Sequence, residues 1–156
     1  SLMIKINVIL NNINWKKYLK NPNSFISKKI NLINLKNPLY KRKILICSLL
    51  LSNAAQVKTL NKKFRNKNKT TDVLSFPFYK KKELKQKIKK EKEIYIGDII
   101  INLSKVKNKK DKINFKIEFN KLWVHGLIHL FGYNHKKNSD HKIMSQVERK
   151  YLKYIS

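Results

Sequence analysis

The chain holds one cysteine, three glycines, three prolines and only nine acidic residues in 156 positions. A lone thiol, Cys47, cannot make an internal disulfide, so no cystine framework supports the fold. It lies in the apolar run Ile44–Leu51 and reads as a small buried hydrophobe. The lack of disulfides agrees with a reducing, cytoplasmic setting. No run of about 18 apolar residues occurs, so neither a membrane-spanning helix nor a membrane partner is expected. The start of the chain lacks a signal-peptide pattern, and Ser1 and Leu2 before Met3 read as a cloning remnant. With no linker and no internal repeat, a single domain is expected over residues 3–156. A chain of that length buries roughly two-thirds of its unfolded surface and can build a core.

Acid is scarce where base is plentiful. Lysine and arginine number 37, giving a formal net charge of +28. An ordinary solubility charge is far smaller, so a polyanionic partner is indicated, RNA or DNA first. The excess is almost all lysine, and asparagine and isoleucine are abundant too; A/T-rich codons encode all three. Codon drift therefore shares the explanation. The physical effect is the same either way: polyanions are attracted in a salt-dependent manner.

Hydrophobic patterning predicts a small mixed sheet of four strands packed with about five helices, an α+β (mixed α/β) domain. Strands are expected at Met3–Leu10, at Ile44–Leu51 as a buried central strand, at Thr71–Tyr79 and at Glu93–Asn102. Pro77 suits an edge strand or a strand end, and Gly97 suits a bulge. Helices are expected at Asn23–Asn34, capped by Asn23 or Ser24, and from an Asn53 cap through Arg65. The lysine-rich stretch Lys80–Lys92 reads as a solvated hairpin connection or a short exposed helix. Ile113, Phe115, Ile117 and Phe119 alternate like a strand. The segment nonetheless runs without proline into the histidines below, which favours one long helix from about Ile113 to Phe131. A last helix starts near Asn138 to Asp140.

Three of the four histidines fall in one stretch, His125, His129 and His135, spaced H-x3-H-x2-G-x2-H with Gly132 between the last two. On a helix His125 and His129 are about 40° apart and project from one face. His135 would point elsewhere if the helix continued, so the chain must break and return. Gly132 is placed to end the helix in the left-handed conformation. Three imidazoles that leave a coordination position open describe a catalytic zinc site better than a structural one, which more often has four protein ligands. His141 lies outside the pattern and reads as a solvated helix residue.

A second stretch runs Leu60-Asn61-Lys62-Lys63-Phe64-Arg65 and on through Thr71-Asp72-Val73-Leu74-Ser75-Phe76-Pro77-Phe78. With Gly97-Asp98-Ile99 and the histidine segment, it closely resembles the YbeY family of bacterial zinc-dependent, single-strand-specific endoribonucleases. Those enzymes act in rRNA maturation and ribosome quality control. The family's first motif reads approximately L-N-x-x-[FY]-R-x-K-D-x-P-T-D-V-L-S-F-P and its last H-G-x-L-H-L-x-G-Y-D-H. The resemblance covers essentially the whole chain after Met3. It implies that His125, His129 and His135 hold one Zn2+ per chain in a zincin-like site. It also implies that Arg65 is needed for activity, and that the partners are single-stranded RNA, rRNA (the 16S 3′ end) and ribosomal subunits. Apart from the resemblance, Arg65 reads as a helix-C-terminal arginine on the macrodipole. Three positions depart from the family pattern. Asn134 replaces an acid beside the third histidine, and Asn68 and Thr70 replace Asp and Pro after Arg65.

Two other functions fit parts of the pattern. The histidine spacing is that of metzincin proteases, with Met144 downstream as a methionine floor. Those enzymes place Glu after the first histidine as general base, where this chain has Gly126. A non-catalytic, zinc-stabilised RNA- or ribosome-binding module would need the basic surface but not Arg65.

Overall fold

The computed structural model describes residues 2–36 and 43–156; Ser1, half of the expected remnant, lies outside them. Four strands form, β1 (Leu2–Leu10), β2 (Lys43–Ser52), β3 (Val73–Pro77) and β4 (Glu93–Asn102). Five helices accompany them, α1 (Pro22–Asn34), α2 (Ala54–Arg65), α3 (Lys81–Lys90), α4 (Lys112–Leu130) and α5 (Asn138–Ile155). The sheet order is β1-β2-β4-β3. β1, β2 and β4 run parallel, and β3 pairs antiparallel with β4 at the edge. This is the expected mixed four-stranded sheet with five helices.

β2 is apolar nearly throughout because it has a parallel neighbour on both sides. Leu45, Cys47, Leu49 and Leu51 enter the main core with the α1 and α4 side chains. α1 and α4 cover this face of the sheet, and α5 lies across both. Trp15, Phe115, Phe119 and Trp123 are fully buried there. Trp15 sits in a short 3-10 turn that the hydrophobic pattern did not indicate, and its indole N–H donates to the Ser52 carbonyl at 2.9 Å. The other face is covered, among the described residues, by α2 alone, through Val57 on Leu74 and Ile100.

Several expected boundaries move for local reasons. α1 starts earlier than expected: Asn21, not Asn23 or Ser24, is the cap, accepting from the Ser24 N–H at 3.0 Å, with Pro22 preset for the first turn. Asn53 caps α2 as expected, accepting from the Gln56 N–H at 2.9 Å. β3 is shorter than Thr71–Tyr79 and closes at Pro77, whose missing N–H an edge strand tolerates. Lys80–Lys92 is the connection between the antiparallel strands β3 and β4, and it holds the helix Lys81–Lys90, so both expected descriptions of it apply. The helix face is not wholly solvated, since Leu84 is 4% exposed and joins the main core. A bulge interrupts the β2–β4 pairing, where Ile46 faces Tyr95 and Cys47 faces Gly97. No helix among the described residues is long and apolar enough to cross a membrane.

Candidate metal centre

α4 runs unbroken from its Asp111 cap to Leu130, and its last two turns carry His125 and His129. Gly126, between them, is a packing requirement. A Cβ there would lie 2.7 Å from Ile99 Cγ2 of β4, so the helix reaches the sheet only because this residue has no side chain. A glutamate at the metzincin base position would not fit this approach. The helix ends at Phe131, and Gly132 takes φ +97°. A side chain on Gly132 would also meet Lys81, at 2.7–2.8 Å from its Cβ and Cα. The chain turns there and brings His135 back.

The three Nε2 atoms form a nearly equilateral triangle, 3.2 Å from His125 to His129, 3.1 Å from His129 to His135 and 3.4 Å from His135 to His125. A tetrahedral zinc with Zn–N bonds of about 2.0–2.1 Å needs ligand nitrogens about 3.3 Å apart. The triangle fits that ion. Among the described residues no fourth histidine, cysteine or carboxylate joins the group.

The outer nitrogens determine which ring atom is free. His129 Nδ1 lies 3.0 Å from the Tyr133 carbonyl. A carbonyl only accepts, so Nδ1 carries the proton and Nε2 presents its lone pair. His125 Nδ1 lies 2.5 Å from Glu148 Oε1, which imposes the same tautomer. His135 Nδ1 lies 3.2 Å from His141 Nδ1. Burial, with the His125 charge second, pushes His129 down to about 4. His135 is lowered by the same two causes, with His141 adding to them. Both rings are therefore neutral at physiological pH, as ligation requires.

Glu148 and His141 are the residues that sequence reasoning missed. Both lie on α5. His141 is exposed, as expected of a solvated helix residue, but it also meets His135. A signal was present: His141, buried Met144 and Glu148 stand at i, i+3 and i+7 on one helix face. Among the described residues Asn134 makes no hydrogen bond to the rings. Its Oδ1 accepts from the Lys136 N–H at 3.2 Å and closes the turn. The carboxylate facing one of the three rings comes instead from Glu148, on a different histidine.

Arg65 sits in the last turn of α2 and does not join the triangle. Its Nη2 donates to the Ser75 carbonyl at 2.8 Å. The Ser75 hydroxyl donates to the Gly126 carbonyl at 2.7 Å, beside His125. Two hydrogen bonds thus tie the guanidinium to the histidine helix. Thr70 gives the intervening loop another anchor in place of proline, donating to the Ala54 carbonyl at 3.2 Å and accepting from Asn102 Nδ2 at 2.9 Å.

A family model described as Endoribonuclease YbeY matches residues 9–156. An Endoribonuclease YbeY of Pelagibacter ubique is 38% identical over 155 residues, covering 98% of this chain and 97% of that protein. One from Ehrlichia canis is 34% identical, covering 96% and 91%. A Thermotoga maritima protein solved in solution shares the fold, with a TM-score of 0.59 at 23% identity over 97% of this chain and 89% of its own.

Proposed function

Since the chain belongs to the YbeY endoribonuclease family, we propose that it is a zinc-dependent, single-strand-specific endoribonuclease. In this reading it matures rRNA, at the 16S 3′ end, and takes part in ribosome quality control in the cytoplasm. Its partners are single-stranded rRNA and ribosomal subunits. One zinc is held by His125, His129 and His135 within a single domain over residues 3–156, and Arg65 is the catalytic residue. The observation that carries this reading is the Nε2 triangle, whose 3.1–3.4 Å edges match a tetrahedral zinc face with one position to spare.

When bound, zinc supplies a Lewis acid beside the scissile phosphate. The protein's own residues do the rest. Glu148 and the Tyr133 carbonyl hold His125 and His129 in the ligating tautomer. Arg65 spends one of its five N–H donors on Ser75, which leaves the others for the phosphate. Phosphodiester cleavage builds negative charge on the nonbridging oxygens, and a planar guanidinium contacts two of them at once where lysine cannot. Hydrolytic attack and attack by a 2′-hydroxyl both build this charge, so Arg65 serves either route. The lysine-rich surface steers the polyanion in, more weakly as salt rises.

The test is cleavage of a labelled single-stranded RNA by zinc-loaded protein after metal analysis. Arg65→Ala is expected to lower the rate by about 10²–10³, the usual loss for one donor to developing charge. Equal cleavage by both proteins removes Arg65 from the mechanism. No cleavage by the zinc-loaded wild type favours a non-catalytic RNA-binding module.

A further inference from the structure

The metal centre occupies the helix-covered side of the sheet. On the opposite side a row of aromatic rings has no role in it. The β2–β4 bulge brings Tyr95 to the same face as Asp98 and Ser48. The Tyr95 hydroxyl donates to Asp98 Oδ1 at 2.5 Å and accepts from the Ser48 hydroxyl at 2.6 Å, which fixes its ring. Phe78 lies 5.2 Å from that ring, centroid to centroid. Phe76, two residues back along the chain, lies 5.6 Å from Phe64 of α2. Phe64 and Phe78 are 59% and 55% exposed. Two phenyl rings left in water forgo the burial that a folding chain normally seeks. They stand on a sheet face that only α2 covers among the described residues.

Cations border this row. Lys63 Nζ is 5.3 Å from the Phe64 ring, and Arg65 Cζ is 5.7 Å from the Phe76 ring. Arg65 also joins the two sides of the sheet. Hydrogen bonds from Asn102 to Asp72 and from Phe78 to Ile96 direct the even-numbered β3 residues at β4. The Ser75 carbonyl therefore points off the open edge, where Arg65 binds it. The guanidinium stands at the edge strand, with the histidine helix on one side and the aromatic row on the other.

We propose that Phe64, Phe76, Phe78 and Tyr95 form a stacking platform for unpaired bases of the single-stranded RNA whose phosphate reaches Arg65. The proposal rests on the endoribonuclease reading above and adds where the strand lies outside the metal centre. Charge complementarity selects the occupant. An apolar protein surface would have to desolvate Lys63 and Arg65, whereas an RNA strand offers its bases to the rings and its phosphates to the cations. A duplex keeps its bases stacked on each other and has none to give. The platform thereby supplies a physical basis for single-strand selectivity. Stacking on an aromatic face is sequence-tolerant, so the platform accepts any base.

The test uses zinc-loaded protein, a fluorescein-labelled oligo(2′-O-methyluridylate), and a ribose-phosphate oligomer of the same length without bases, with binding read by anisotropy. Phe78→Ala is expected to weaken the base-bearing probe about tenfold, the usual cost of one lost stack. It should leave the abasic probe unchanged, and Phe78→Trp should restore binding. Wild-type affinity for the base-bearing probe in Phe78→Ala overturns the platform. So does an equal loss on both probes, which would mean that the variant had disturbed charge or folding. The two readings fail separately. Phe78-dependent binding without any RNA cleavage by the wild type supports the platform and sinks the nuclease; normal cleavage by Phe78→Ala at limiting RNA, with unchanged binding, sinks the platform alone.

Discussion

The two faces of the sheet are built from the same four strands and differ in almost every physical respect. The covered face is apolar and tightly packed, and it fixes polar groups in single states. Cys47 there is fully buried, and desolvation, with the Asp98 charge second, pushes its thiol up to about 12. Gly126 has no room for a methyl group. At the rim of this rigid layer three imidazoles converge to within 3.4 Å of one another. The other face, which α2 alone covers among the described residues, carries the exposed phenyl rings of Phe64 and Phe78 with Lys63 beside Phe64. A rigid layer preorganises ligands; a loosely covered one is available to a flexible strand.

The largest effect expected on this contrast is in stability. Trp15→Ala should cost about 3–5 kcal/mol, since it empties the core and leaves the Ser52 carbonyl without its donor. Phe78→Ala, a comparable truncation on the open face, should stay within about 0.5 kcal/mol. Urea unfolding of both variants checks this, and similar midpoints would mean that the faces are not as different as their burial indicates. Next comes the outer support of the metal centre. Glu148→Gln should weaken zinc binding about 10–100-fold, because the amide gives His125 no charge. Competition with a chelator measures it, and unchanged affinity would remove Glu148 from the site. The smallest effect concerns protons. Burial lowers His129 from 6.5 to about 4, so in that window the unfolded chain takes up a proton that the folded chain refuses. Stability of the metal-free protein should therefore fall as pH drops through the window and return above it. His135, lowered too, acts in the same direction. Thermal melts from neutral pH downward test the sign, and a midpoint that rises on acidification would contradict it.

Much of the covered face was legible in the sequence because its signals are local. The apolar run of β2, the H-x3-H spacing and Gly132 each act within a few residues of their own position, as does the Asn53 cap of α2 on the other face. The support of the histidines was not legible in the same way. Glu148 lies 23 residues beyond His125, and only the packing of α5 on α4 brings them together. The acid expected at position 134 misled for the same reason: charge can reach a ligand from any neighbouring helix. Lys80–Lys92 was read by its lysines as solvated, a short exposed helix at most, whereas one leucine, Leu84, docks the helix on the core. The aromatic row was invisible as a unit, since Tyr95 joins Asp98 only through a bulge in the sheet pairing.

Zinc titration of the wild type beside His135→Ala tests the metal centre most directly. One ion per chain is predicted for the wild type. Loss of tight binding is predicted for the variant, because His135 supplies one corner of the Nε2 triangle. Undiminished zinc binding by His135→Ala would contradict a three-histidine site.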